Sequence, residues 1–238
     1  MNIILIILVF GVIVFFHEFG HFIVAKMNKI AVMEFSIGMG PAIFSIQKKE
    51  TKYSLRLLPI GGYCMMMGED GESEDENAFN NKPLLARILV SIAAGPVFNF
   101  ILAFVFSIVL IHFTGCDPAR LTTVVEHSAA EDAGIVVGDT VTAINGKKIY
   151  NYREILLYMQ AENPSKPVTL SIEHADGSKE SVVVTPKVDN EGNYKLGVAG
   201  GYVASTGFGN DIKYAGLELR YWVKATVTGL RMIVTGAV

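Results

Sequence analysis

Two histidines and a glutamate in His17-Glu18-Phe19-Gly20-His21 are the side chains of this sequence best equipped for chemistry. On a helix, His17 and His21 lie one turn apart and face the same way, so two imidazole nitrogens can grip one Zn²⁺. Glu18 stands about 100° round the helix from His17. From there its carboxylate can reach an attacking water and take its proton.

The element that must carry these residues is almost wholly apolar. Met1 to Phe16 contain no charged side chain, and Phe22 to Ala25 continue the run up to Lys26. A charge at mid-bilayer costs about 2.5–3.5 kcal/mol, so three ionisable side chains in such a run point to function. Nothing basic precedes the run, and it leads into His-Glu where a signal peptide would show a small-residue cleavage site. We read Ile3 to about Ala25 as a retained transmembrane helix, since roughly 20 residues suffice to span. Of the 238 residues 51% are hydrophobic and only 18% charged, and the mean hydropathy is +0.40. With its apolar residues gathered in blocks, that composition belongs to a polytopic α-helical membrane protein. The net charge of −3 and the lack of a basic stripe argue against nucleic acid. Cys64 and Cys116 form neither a disulfide framework nor a C-x-x-C site.

Ile30 to about Lys82 reads as a β-rich segment. Ile43–Gln47 and Tyr53–Leu58 look like strands, with Gly38-Met39-Gly40-Pro41 and Pro59-Ile60-Gly61-Gly62 as turns. Glu69 to Glu76 holds six acidic residues and reads as a solvated loop. Ile88 to Phe113 is the second membrane candidate. Pro96 removes a backbone donor there and predicts a kink, and Asn99 one turn on needs a protein partner. Leu121 to about Pro186 is soluble in character. It shows strands at Leu121–Val125 and Thr140–Ile144, a tight turn at Asn145-Gly146 and a helix at Tyr152–Ala161. A hairpin of Val168–His174 and Ser178–Thr185 follows, across Asp176-Gly177. From Tyr214 the pattern is amphipathic and suited to a membrane surface. Met232 to Val238 then turns apolar like the start of another membrane segment. Lys26, Lys29, Lys82 and Arg87 bracket the first loop and place it in the cytoplasm, with the soluble module outside.

In combination these features resemble the site-2 protease family of intramembrane zinc metalloproteases, most closely the bacterial regulator-of-sigma-E type. His17, Glu18 and His21 match its zinc helix. Arg56, Pro59 to Tyr63 and Met67-Gly68-Glu69 are similar to its strand-rich membrane-associated segment. Ala94 to Phe100 resembles its G-P-x-x-N element. Ala129 to Ile135, Gly138 to Val141 and Ile144-Asn145-Gly146 look like a PDZ domain. The resemblance implies a polytopic α-helical membrane protein with a membrane-associated β-rich segment and an inserted α+β PDZ domain. Its parts are a zinc-binding membrane helix (1–28), a cytoplasmic-side β-rich loop (29–87) and a second membrane helix (88–114). An extracytoplasmic PDZ domain (115–205) and an amphipathic segment leading to a truncated third membrane segment (206–238) complete it.

By the same resemblance His17 and His21 bind Zn²⁺, Glu18 is the catalytic base, and Asn99, Gly95 and Pro96 position substrate. Substrates would be single-span membrane proteins or signal-peptide remnants, met in the bacterial inner membrane and its lipid. The family's third zinc ligand is an Asp in an L-D-G element, and no L-D-G occurs in this sequence. That ligand is expected beyond Val238, which would make the chain a C-terminally incomplete copy. The alternative is a catalytically inactive, membrane-anchored PDZ adaptor that binds peptide termini.

Overall fold

A computed structural model describes residues 3–71, 73–189 and 191–236, so Glu72 of the acidic loop and the terminal Val238 lie outside the described residues. The chain divides into two compact units, Met1–Ala103 and Phe104–Val238.

The first unit opens with helix α1, Ile3–Met27. Strands β1 (Val32–Lys48) and β2 (Thr51–Met66) follow, then a short 3-10 turn at Phe79–Asn81 and helix α2 (Leu84–Ile88). A π-helical turn, Leu89–Ala93, joins α2 to α3, Ala94–Thr114. Ile3–Met27 and the run Leu84–Thr114 are both long and apolar enough to cross a membrane. The second of these begins earlier than Ile88, and Pro96 sits within unbroken helix. The irregularity lies one turn before it, as the π-turn.

At about 100° per residue, α1 presents Phe15, Phe19 and Phe22 on one side and His17, Gly20 and His21 on the other. The aromatic side packs on Phe35 and Tyr53 of the strands, with ring centroids 5.0–6.3 Å apart for its contacts to Phe35 and 5.9 Å for Phe22 to Tyr53. Ala25, Ile30, Val32, Cys64, Met66 and Val90 complete this core.

The strands differ from the sequence expectation. Gly38 to Pro41 and Pro59 to Gly62 are not turns; both lie inside the two long strands, and the reversal falls at Lys49-Glu50. Gly38, Gly40 and Gly61 do adopt positive φ (82–84°), the freedom that marks a turn in sequence. Here that freedom bends each strand back along itself. A Cβ at Gly38 would stand 2.4 Å from the Leu58 carbonyl. As a result Tyr53, Ser54 and Leu55 are paired on both sides, to Phe35 and Ile46, Ser36 and Ser45, Ile37 and Phe44. Tyr53–Leu55 is therefore interior and has no free edge, while Arg56 and Leu58 are paired on one side, to Ala42 and Met39. Among the described residues Gly62 to Met66 are paired on one side only, to Val32–Ile37.

Arg56 pins the folded hairpin. Its guanidinium donates to Glu34 (2.8 Å), the Ser36 hydroxyl (2.9 Å), the Gly40 carbonyl (2.7 Å) and the Tyr63 hydroxyl. Outside this polar pin the hairpin exposes Ile43, Phe44, Ile46, Leu55, Leu57 and Leu58.

The second unit holds β3 (Leu121–Val124), α4 (Ala129–Asp132), β4 (Thr140–Ile144), β5 (Lys147–Lys148) and α5 (Tyr152–Glu162). After them come β6 (Val168–Glu173), β7 (Lys179–Val184), β8 (Lys187–Val188), β9 (Tyr194–Lys195), β10 (Val198–Gly200) and α6 (Phe208–Thr235). The main sheet has the order β5-β4-β6-β7, while β10 pairs β3 and β8 pairs β9, all antiparallel. The strands, tight turn, helix and hairpin expected from sequence are present within a residue or two of their predicted ends. Asn145 and Gly146 take φ of 47° and 77°, as a two-residue hairpin turn requires. Both helices carry side-chain caps. Ser128 accepts from Glu131 N–H at 3.3 Å, and Asn151 accepts from Glu154 N–H at 3.0 Å.

Helix α6 is tied to this module by charge. Arg153 bonds Asp117 (3.1 Å) and Glu218, while the fully buried Glu154 bonds Arg220 and lies 3.5 Å from Lys224. Arg220 also covers the Tyr150 ring at 4.4 Å. Trp222, Val223, Val227, Leu230, Ile233 and Val234 of α6 are exposed. The helix ends at Thr235, where Gly236 turns left-handed (φ 67°) and returns its N–H to the last carbonyls.

Candidate metal centre

His17 and His21 stand together on α1, with ring centroids 4.9 Å apart. The helix that follows the strands comes against them at the closest possible range. A Cβ at Gly20 would fall 2.5 Å from the Ala94 carbonyl, and one at Gly95 would fall 2.4–2.6 Å from His17 Cε1, Nε2 and Nδ1. Only glycine at both positions lets the helices approach this far. Gly95 was expected to position substrate, and the structure brings it onto the His17 imidazole.

The second nitrogen of each imidazole is also occupied. His21 Nδ1 lies 2.5 Å from the Val90 carbonyl. A carbonyl only accepts, so Nδ1 carries the proton and Nε2 keeps its lone pair for a metal. The π-turn makes this possible. Ala94 N–H bonds the Leu89 carbonyl across the wide turn, where a regular helix would direct it to Val90. Val90 is thereby free to serve His21. Sequence reasoning missed Gly20, Val90 and the π-turn; the Gly beside His21 in the motif was the one available signal.

Glu18 lies between the histidine face and the strands. Gly62 approaches it so closely that a Cβ there would sit 3.5 Å from Glu18 Cγ. Asn99 stands 3.3 Å from His17 Nδ1 through its amide. Among the described residues no group of three His, Cys, Asp or Glu side chains could hold a metal. The two imidazoles fit zinc in donor type, His21 also in tautomer, and a third protein ligand is not among the described residues.

The order of these parts is reproduced in known proteins. A family model described as "Peptidase family M50" matches residues 5–238. The chain belongs to peptidase family M50. "Zinc metalloprotease RasP" of Geobacillus kaustophilus is 30% identical over 99% of this chain and 75% of its own length. "Regulator of sigma-W protease RasP" of Bacillus subtilis is 29% identical over 97% and 74%. A protein of Clostridium acetobutylicum reaches 36% over 99% of this chain and 69% of its own length. A PDZ domain from a Listeria monocytogenes SdrC-like protein aligns with 35% of this chain and 87% of its own, at 20% identity and a TM-score of 0.32.

The resemblance to site-2 proteases is therefore borne out: this M50 chain is a zinc metalloprotease of the membrane, with Zn²⁺ as its cofactor, and the adaptor alternative is set aside.

Proposed function

We propose that this M50 chain cleaves the membrane-spanning segments of single-span proteins or signal-peptide remnants in the bacterial inner membrane. The observation that carries this reading is the placement of His17, Glu18 and His21 well inside an apolar helix, Ile3–Met27, with both imidazoles braced by a second apolar helix. Zinc, when bound, supplies a Lewis acid for the scissile carbonyl and lowers the pKa of the attacking water toward ~7. Glu18 takes the proton of that water and delivers it to the leaving amine. An extended substrate adds to the one-sided edge at Gly62–Met66, the strand that touches Glu18. Pro96, whose missing N–H leaves a carbonyl of the preceding turn without its helical donor, helps to seat the substrate beside that edge.

The module between β3 and β10 is read as an extracytoplasmic PDZ domain. Its cavity of about 770 Å³ between α5 and Tyr194–Val198 would screen chain ends. The exposed apolar side of α6 rests on the lipid surface.

Glu18→Gln keeps the shape of the side chain but cannot accept a proton. In the complete protein it abolishes cleavage of a single-span substrate already trimmed on its outer side, with zinc content and membrane insertion unchanged. Near wild-type cleavage by this variant would remove Glu18 from the mechanism.

A further inference from the structure

Asn99 lies beside His17 in a way that a substrate contact alone does not explain. Its side-chain nitrogen is 3.3 Å from His17 Nδ1, and its Oδ1 is buried with no hydrogen-bond partner. A half-turn of the carboxamide exchanges oxygen and nitrogen and leaves every other atom in place. The two arrangements have opposite consequences for the imidazole. With nitrogen inward, Asn99 donates to Nδ1, the ring proton sits on Nε2, and Nε2 has no lone pair for a metal. With oxygen inward, Nδ1–H donates to Oδ1 and Nε2 is free. Gly95 is pressed against the same ring, with space for no Cβ, so His17 cannot swing away to present another nitrogen.

We propose that Asn99 is a positioning residue for His17, its side-chain oxygen accepting the Nδ1 proton as the Val90 carbonyl does for His21. The helix from Leu84 to Thr114 then braces both imidazoles, one through a main-chain carbonyl freed by the π-turn and one through a side chain. The Asn99 NH₂ then takes the buried place that Oδ1 now holds. This inference rests on the reading that His17 and His21 bind zinc.

Zinc affinity of the complete protein, measured by chelator competition in detergent, tests it on variants with wild-type resistance to added protease. Asn99→Leu removes the acceptor and is expected to weaken zinc binding about 10–100-fold, the range seen when an outer-shell partner is lost. Asn99→Asp keeps an acceptor at the same place and is expected to restore wild-type affinity, a rescue that a packing role would not produce. Wild-type zinc affinity in Asn99→Leu together with lost cleavage would confine Asn99 to substrate and overturn the proposal. Equal loss in the Leu and Asp variants would overturn it as well. His17→Ala and His21→Ala serve as the separate control: retained tight zinc in these would show that the metal site itself has been misread.

Discussion

Gly95 shows how small a change the centre can tolerate. A methyl group there would overlap the His17 imidazole, at 2.4–2.6 Å from three of its ring atoms. The neighbour it meets is an imidazole also in contact with Asn99 one turn further along the same helix, so the ring cannot yield without disturbing that contact. Gly95→Ala is therefore expected to lower zinc affinity and to reduce cleavage by at least the ~10–100-fold typical of a disturbed ligand shell. The chain should insert and resist protease normally. Tight zinc and full activity in this variant would show that the helices can part without cost. The same reasoning separates Gly95 from Glu18, whose replacement by Gln spares the metal.

Among the elements, α6 and the module are bound by two ion pairs of opposite sense on neighbouring residues of α5. Arg153 reaches Glu218 and Glu154 reaches Arg220, so the two pairs together fix the charge order between the helices. Glu154 is fully buried and also accepts the Tyr150 N–H at 3.0 Å. Arg220→Ala leaves Oε1 of that carboxylate with only the more distant Lys224, and is expected to destabilise the module by roughly 1–3 kcal/mol, as for a buried acceptor stripped of its partner. Chemical denaturation followed through Trp222 on α6 reads the loss, and an unchanged midpoint would show that the pairs contribute nothing. A second prediction concerns the β4–β6 sheet. His174 bonds Asp139 at 2.8 Å, and that hydrogen bond is the leading cause holding the imidazole above its ordinary 6.5. A raised histidine stabilises fully below its unfolded value, and the contribution is lost as pH rises through the folded one. Thermal melts of wild type should thus weaken from acidic to alkaline pH over that window, and His174→Gln should flatten the trend. An identical pH profile in both would exclude this pair.

At the scale of the whole molecule the question is which side of the membrane each segment occupies. Lys26, Lys29, Lys82 and Arg87 flank the strand-rich segment, and the lysine and arginine bias predicts a cytoplasmic location for it. Cysteine at Asp70, in the exposed acidic loop, should be protected from an impermeant thiol reagent in intact cells, whereas cysteine at Glu191 should react. The native Cys64 and Cys116 are both buried and leave the background low. Labelling in the reverse sense would place the metal centre toward the opposite face and undo the proposed meeting with outwardly trimmed substrates.

Sequence alone determined the parts whose signal is local. His17, Glu18 and His21 could be read because helical spacing places them on neighbouring faces whatever else the chain does. The soluble module was legible almost element by element, since its turn at Asn145-Gly146 and its alternating strands carry their conformational preferences in adjacent residues. The folded hairpin was not legible. Gly38, Gly40 and Gly61 signal positive φ, and positive φ serves a turn or a bent strand equally well. Only the pairing of Tyr53–Leu55 on both sides decides between them. The contacts made by His17 and His21 were likewise hidden. Val90 contributes a carbonyl that every residue possesses, and what frees it is a wide turn stabilised by contact between helices distant in sequence. A main-chain acceptor leaves no mark on residue type, so tertiary structure alone could assign it.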